Sequence, residues 1–278
     1  MKNKAFSFFF LITLLTAGCA PTADSSSAPS FSEDPVYDAY YRAENQELTY
    51  YDVSRSGGMD SLPTVGEVNL LVVPVIIEGY EENVSNETRN NIQKVMFGQS
   101  EDTSWESVAS FYDKSSYGRL TLTGEVTPWF PSGYSAAEMN AMEARGQDSV
   151  SLLLEDAVDW LREEQTTVDL TAYDNDRDGH LDAVWMIYSA PSQISDVFWA
   201  FVNWNYRNLN NKNIANPTPF THAWASFDFM YEGYGKSGID AHTYIHETGH
   251  LLGLDDYYDY DGKTSPMGMI DMMDYNII

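Results

Sequence analysis

Apolar residues are concentrated in two runs of strand length. Residues 67–77 (EVNLLVVPVII) form the first run, and residues 181–189 (LDAVWMIYS) form the second. Predominantly apolar runs of this length predict strands that are buried on both faces. Pro74 cannot donate a backbone hydrogen bond, so it predicts an edge position or a bulge within the first strand. Residues 119–127 (RLTLTGEVT) predict a further strand.

Other segments carry apolar residues at helical spacing, which predicts amphipathic helices. Residues 104–116 begin with a serine that suits an N-cap. Residues 148–164 form a longer amphipathic pattern, with Asp148 or Ser149 as the cap. The last predicted helix runs from about residue 239 to residue 252.

Residues 191–238 show little periodicity. They are rich in aromatic residues, asparagine and glycine, which predicts a long loop region near a functional site. Elsewhere the predicted strands and helices alternate along the chain. This alternation predicts a mixed α/β (α+β) fold with one sheet.

The composition indicates a folded, acidic protein. The 278-residue chain is 43% hydrophobic and 14% aromatic, which is enough to build a sizeable core. Its formal net charge of −27 makes nucleic acid a poor partner, because phosphate backbones bind clustered lysine and arginine. Such acidity suits an extracellular protein or one that binds hard cations through carboxylates. The single cysteine, Cys19, excludes an intrachain disulfide and a cysteine-based zinc site.

The N-terminus has the three parts of a secretory signal. Two lysines lie within residues 1–4, residues 5–15 are apolar, and small residues precede Cys19. The apolar run is about half of the roughly 20 residues that span a bilayer, so a signal is favoured over a transmembrane helix. The stretch LLTAGC resembles a bacterial lipobox, which implies lipidation of Cys19; the alternative is an ordinary signal peptide with a chance cysteine. Residues 20–34 are rich in serine, alanine and proline, as in a flexible tether.

The chemistry is concentrated in the segment HETGHLLGLDD. On a helix, His246 and His250 are four residues apart, so both imidazoles lie within reach of one ion. Glu247 can take a proton from a water that zinc acidifies while it polarises a carbonyl. Gly253 permits a sharp turn that brings Asp256 back as a third ligand, and three protein ligands with one open position are typical of catalytic zinc. The alternative is a helix with two surface histidines and no metal.

The extended pattern HExxHxxGxxD and the later stretch TSPMGMIDMMDYN resemble the metzincin clan of zinc peptidases, specifically the immune inhibitor A family of secreted bacterial metallopeptidases. The resemblance implies a metzincin-like fold with a mixed twisted sheet, a backing helix and an active-site helix. It implies zinc ligands at His246, His250 and Asp256, a general base at Glu247, and Met267 as the methionine of the turn beneath the metal. Relatives continue further past this turn, so a missing C-terminal end is expected.

A second constellation, DxDxDGxxD, lies at residues 174–182. A tight loop with this spacing wraps carboxylates around calcium. Four carboxylates so close together repel one another at neutral pH unless a cation offsets their charge. Trp185 stands where an EF-hand loop carries glutamate, so a true EF-hand is not expected. The predicted calcium ligands are Asp174, Asp176, Asp178 and Asp182, with the backbone carbonyl of His180; the alternative is an Asp-rich solvated turn.

Two further histidines have alternative interpretations. His242 either touches the metal shell or simply begins the last helix, and the helix start is favoured. His222 lies in an aromatic stretch and either lines a substrate cleft or is an ordinary core or surface histidine. The ordinary histidine is favoured.

Together these features predict three segments. Residues 1–18 form a signal peptide with a lipobox, residues 19–60 form a lipid-anchored tether and short leader, and residues 61–278 form a metallopeptidase catalytic domain. The predicted protein is a monomeric zinc endopeptidase that also binds calcium and acts on proteins or peptides. It is expected outside the cytoplasm, either secreted or as a cell-surface lipoprotein bound to the membrane through Cys19. The alternatives are a catalytically impaired calcium-binding surface protein that keeps the zinc motif, and a metal-dependent hydrolase of other substrates.

Overall fold

The computed structural model describes residues 62–165, 167–232, 238–259, 263–264, 267 and 271–274. These residues all fall in one compact unit, Asp34–Ile278. The predicted signal peptide, Cys19 and the tether lie outside the described residues. Over the ranges described, no helix has the length and apolar character needed to cross a membrane.

Strands and helices alternate along the described chain. The strands are β1 (Gly66–Asn69), β2 (Leu71–Glu78), β3 (Leu120–Thr123), β4 (Phe130–Ser135), β5 (His180–Leu181), β6 (Val184–Tyr188), β7 (Phe201–Trp204), β8 (Thr218–Pro219) and β9 (Thr221–Ser226). The α-helices are α1 (Asn86–Phe97), α2 (Val108–Ser115), α3 (Ala136–Glu143), α4 (Ser149–Glu164) and α5 (His242–Leu251). Short 3-10 helices cover Glu81–Asn83, Ser100–Asp102, Leu170–Tyr173, Ser192–Ile194, Asp196–Phe198, Tyr206–Asn208 and Phe227–Tyr231.

The central sheet has the strand order β4-β2-β6-β9-β7. Its strands pair in parallel except β7, which pairs with β9 in antiparallel orientation. Two short parallel pairs, β1 with β3 and β5 with β8, lie apart from it. Because the sheet is mixed and helices are interspersed with its strands, the predicted mixed α/β class is confirmed.

The central sheet is covered on both faces. Side chains alternate between the faces along a strand, and the two faces belong to different core clusters. Val73 is in the cluster that contains Leu153 of α4, whereas Val72 is in the cluster that contains Tyr244 and Ile245 of α5. All five side chains are fully buried. Helix α5 therefore packs into the core on one face of the sheet, and this packing positions the candidate site.

Two helix predictions can be compared directly with the structure. The pattern at 148–164 becomes α4, whose N-cap Asp148 accepts a hydrogen bond from Ser151 N at 2.9 Å. The pattern at 104–116 becomes the shorter helix α2, which starts only after its N-cap, Ser107. The strongly periodic helix is thus predicted almost to the residue, whereas the weaker one is shortened at its start.

The apolar run at 67–77 splits at Leu70 into β1 and β2. Pro74 was expected at an edge or a bulge, but β2 is an interior strand. Strand β2 pairs with β4 from Val75 onward. Before that, on the same side of β2 and within the described chain, only Val72 is bridged, to Val126. Pro74 therefore lies in a gap of the ladder, where a missing backbone donor costs little.

The prediction of one long loop at 191–238 is wrong. Strands β7, β8 and β9 fall inside it, and β9 is an interior strand with every residue buried. The sequence THAWAS mixes polar and apolar residues, and Trp224 and Ser226 bond to backbone carbonyls in the core. It therefore shows neither alternation nor an apolar run.

Candidate metal centre and active site

Helix α5 carries the HExxH segment, and side chains of two other elements donate hydrogen bonds that hold it against the core. Tyr112 Oη of α2 donates to the carbonyl oxygen of Ile245 at 2.7 Å. Trp185 Nε1 of β6 donates to Thr248 Oγ1 at 3.1 Å. Both bonds engage the buried face of α5, and the two motif histidines lie on its more exposed face.

The three predicted zinc ligands meet after a turn of the chain. Gly253 has φ +85°, a left-handed backbone conformation that favours glycine. Beyond it, Asp256 Oδ1 lies 3.1 Å from His246 Nε2 and 3.3 Å from His250 Nε2. The three ligand atoms all lie within 4.8 Å of one another.

The other ring nitrogen of each histidine is bonded to the backbone. His246 Nδ1 donates to the carbonyl oxygen of Met272, and His250 Nδ1 donates to that of Leu254, each at 2.8 Å. Donation to a carbonyl assigns the proton to Nδ1 and leaves a lone pair on Nε2. Two lone pairs and a carboxylate oxygen that point at one another fit a cation with the ligand preferences of zinc.

Glu247 is buried beside these ligands, with 7% of its surface exposed. Burial raises the pKa of the Glu247 carboxyl to about 7, while His246 and His250 act in the opposite direction. A carboxyl whose pKa lies near neutral pH is suited to accept and return a proton.

Among the described methionines that follow α5, Met273 is the one buried beneath the helix. Met267, the residue predicted for the turn, is 41% exposed, whereas Met273 is 1% exposed. A Cβ atom added to Gly249 would lie 2.4 Å from Met273 Sδ, so the thioether touches the helix backbone. The segment around Met272 packs against α5, and the carbonyl oxygen of Met272 accepts a hydrogen bond from His246. Met273 is the next residue in this segment.

The favoured interpretations of the two other histidines agree with their positions. His242 is the first residue of α5, and its backbone N donates to Asp240 Oδ1 at 2.8 Å. His222 is fully buried in β9, where it stacks on Trp224, a member of the α4-side cluster. Burial lowers the pKa of His222 to about 4. His222 is therefore a core residue on the face away from α5.

The acidic loop brings three of its predicted ligands together. Carboxylate oxygens of Asp174, Asp176 and Asp182 lie within 4.8 Å of one another. Asp182 is fully buried, and its Oδ2 accepts a hydrogen bond from Asn175 N at 2.6 Å. Its Oδ1 has no hydrogen-bond partner among the described residues. Burial, followed by the charge of Asp176, raises the pKa of the Asp182 carboxyl well above its usual range.

Of the other two predicted calcium ligands, Asp178 pairs with a lysine, and the ring of His180 packs in the core. Asp178 lies outside the three-carboxylate group and forms an ion pair with Lys212. The His180 ring donates from Nε2 to the carbonyl oxygen of Asn208 at 2.9 Å and stacks on Phe220. The ring of His180 thus serves packing, as expected of a residue predicted to offer only its carbonyl.

A mixed sheet with an HExxH helix packed on one face is the architecture of a metzincin-like peptidase domain. Residues 77–183 match the family model of the immune inhibitor A peptidase M6 catalytic domain. The chain is also 28% identical over 237 residues to immune inhibitor A of Bacillus thuringiensis subsp. alesti. The two matches confirm the resemblance to the immune inhibitor A family of peptidases that the motif predicts.

The extent of these matches is limited. The match to the Bacillus thuringiensis protein covers 68% of this chain and 31% of that protein, so the chain spans about a third of the length of its relative. The residues that match the family model include the acidic loop and end before α5 begins.

Sequence reasoning missed the residues that support α5 from below. Tyr112, Trp185 and Met273 contact the helix from three separate parts of the chain. The signal available in the sequence was Gly249, since a glycine in a helix interior costs about 1 kcal/mol relative to alanine and indicates a close neighbour.

Proposed function

We propose that this protein is a zinc-dependent endopeptidase that hydrolyses peptide bonds in proteins. The observation that carries the proposal is the convergence of His246 Nε2, His250 Nε2 and Asp256 Oδ1. Two imidazoles and a carboxylate are a typical set of catalytic zinc ligands that leaves a fourth position open. Zinc held there would polarise the scissile carbonyl and lower the pKa of a water.

The side chains around this set have separate roles. Glu247 takes the proton of the attacking water and returns it to the leaving amine, a role favoured by its burial and its pKa of about 7. The carbonyls of Met272 and Leu254 fix the two imidazoles in the orientation that presents Nε2. Met273 fills the space below the helix.

The proposed substrates are extended peptide segments. Within the described residues, β7 pairs on one side only, so its other edge offers backbone donors and acceptors to an extended chain. Phe201 of β7 is 43% exposed and packs on Trp224, on the face of the sheet away from α5. It would contact only those substrate side chains that point to that face. Peptide binding to a strand edge is largely independent of sequence, which suits an endopeptidase.

The proposal includes a location outside the cytoplasm. The N-terminal signal pattern supports export, and the lipobox-like stretch supports a lipid anchor at Cys19. The high negative charge suits a soluble, monomeric domain held at a cell surface.

The acidic loop is proposed to bind calcium. Support comes from the three carboxylates Asp174, Asp176 and Asp182 and from the buried Asp182 Oδ1, which has no hydrogen-bond partner. A buried carboxylate oxygen without a partner is costly, and a hard cation with oxygen ligands would remove that cost.

The test of the peptidase compares Glu247→Ala with the parent protein on a fluorescent casein, with zinc and calcium in excess. The parent should cleave casein, and Glu247→Ala should lose cleavage by at least about a hundredfold while retaining one bound zinc. Glu163→Gln, an exposed glutamate on α4, is the matched control and should keep full activity.

Two results would contradict the proposal. Equal cleavage by the parent and by Glu247→Ala would exclude the proposed base. Zinc binding without cleavage by the folded parent would instead favour the calcium-binding surface protein.

A further inference from the structure

Lys212 lies against the acidic loop, and we propose that it is a built-in counter-ion that keeps Asp178 out of the calcium site and lowers the affinity of the loop for calcium. The inference rests on the calcium site proposed above. It assigns Lys212 as the residue that sets how strongly the loop binds its cation.

Asp178 is buried and bound on both of its oxygens. Its side chain is 1% exposed, Oδ2 pairs with the Lys212 ammonium, and Oδ1 accepts a hydrogen bond from His180 N at 2.7 Å. A buried carboxylate requires a compensating positive charge. Lys212 supplies that charge, so Asp178 is stabilised without a metal ion.

The segment that carries Lys212 is fastened to the loop by its backbone. The carbonyl oxygen of Gly179 accepts hydrogen bonds from Asn213 N at 2.9 Å and from Thr218 N at 3.1 Å. A Cβ atom on Gly179 would lie 2.5 Å from Asn213 N, so the two chain segments are in tight contact. Lys212 immediately precedes Asn213, and its position against Asp178 therefore follows from the fold.

The three remaining carboxylates form a separate group. Carboxylate oxygens of Asp174, Asp176 and Asp182 lie within 4.8 Å of one another, and within the part of the chain that is described Asp182 Oδ1 lacks a hydrogen-bond partner. The loop thus has four aspartates with two different partners. Asp178 pairs with the ammonium group of Lys212, and the other three form the proposed calcium site. Calcium affinity in such loops depends on the number of charged ligands. Lys212 weakens calcium binding in two ways. It pairs with Asp178, which removes one carboxylate from the possible ligands, and it places a positive charge near the site.

The test is a calorimetric calcium titration of the parent protein, of Lys212→Met and of the double variant Lys212→Met with Asp178→Asn. Methionine keeps much of the lysine stem and removes its charge. Lys212→Met should bind calcium at least about tenfold more tightly, because Asp178 becomes available as a ligand. The double variant removes the pair without net change of charge, so its Kd should stay within about threefold of the parent value.

A matched control and a second measurement accompany the titration. Lys114→Met removes an exposed ion pair with Glu106 on another element and should leave the calcium Kd unchanged. Without calcium, Lys212→Met should melt at a lower temperature than the parent, since the carboxylates of the loop repel one another, and calcium should restore its melting temperature. Circular dichroism verifies the fold of each variant.

The possible results separate the two proposals. If the parent binds calcium and Lys212→Met binds it with the same Kd, the proposed role of Lys212 is overturned but the calcium site is not. A double variant that loses calcium binding would identify Asp178 as a direct ligand in the parent and would also overturn the role of Lys212. Absence of binding in both the parent and Lys212→Met would overturn the calcium site as well.

Discussion

Gly249 is a residue of α5 whose backbone lies directly against Met273 and Tyr112. An added Cβ atom would lie 2.4 Å from Met273 Sδ and 3.0 Å from Tyr112 Oη. Both neighbours are buried, so neither side chain moves freely. The glycine therefore reflects contact with the core rather than helix propensity, which would favour alanine.

Gly249→Ala is expected to lower the free energy of unfolding by about 1–3 kcal/mol, because overpacking in the core outweighs the better helix propensity of alanine. Urea denaturation measures this change. Combining it with Met273→Ala makes room for the added methyl group, so the double variant should lose less than the sum of the two single changes. Strict additivity would contradict the contact.

At the residue scale, the convergence of the three proposed zinc ligands was predictable and the burial of Met273 beneath α5 was not. Helical spacing and a glycine turn are local features, so His246, His250 and Asp256 could be placed together from the sequence. The choice between Met267 and Met273 depends on how the chain returns under α5, which is a tertiary contact. Spacing among neighbouring methionines carries no information about it.

At the scale of elements, strand β9 contains an ionisable group that resists protonation. His222 is fully buried in this strand, and burial lowers its pKa to about 4 in the folded protein, against about 6.5 in the unfolded chain. Between these two values the unfolded chain binds a proton that the folded protein does not. The stabilisation is therefore complete above about pH 6.5 and is lost as the pH falls toward 4.

This linkage predicts that His222 lowers the free energy of unfolding by about 2 kcal/mol between pH 7 and pH 5. Urea denaturation at the two pH values measures the change. His222→Gln, which has no charge at either pH, should show a correspondingly smaller loss, whatever its stability at pH 7. An identical pH dependence in both proteins would contradict the assignment.

The elements that could be predicted are those with a strong period. Helix α4 has an amphipathic pattern and a capping aspartate, and it was located almost to the residue. Strand β9 is short and buried and combines histidine, threonine and serine with apolar residues. Its position in the sheet depends on pairing with β6 and β7, which no local pattern reveals.

At the scale of the whole molecule, the acidic loop and the active-site helix are connected through β6. Asp182 lies two residues before this strand, and Trp185 within it donates a hydrogen bond to Thr248 of α5. A cation that orders the loop would therefore also order the strand that supports the helix. This connection gives the proposed calcium ion a structural role distant from the zinc ligands.

Calcium is accordingly expected to raise the melting temperature of the parent protein. The rise should be absent or small in Asp182→Asn, which removes the buried charge that calcium would balance. Differential scanning calorimetry with calcium, and with a chelator, measures the effect. Asp169→Asn, an exposed position outside the three-carboxylate group, is the control; an equal calcium effect in Asp182→Asn would exclude the site.

The account depends most on a metal bound by the two histidines and the aspartate. The most direct measurement is the zinc content of the purified protein after equilibrium dialysis, for the parent and for Asp256→Ala. We predict one zinc per chain in the parent and at least a tenfold weaker affinity in Asp256→Ala, because the third ligand is lost. A folded parent that binds no zinc, or an Asp256→Ala variant that binds it equally well, would contradict the account.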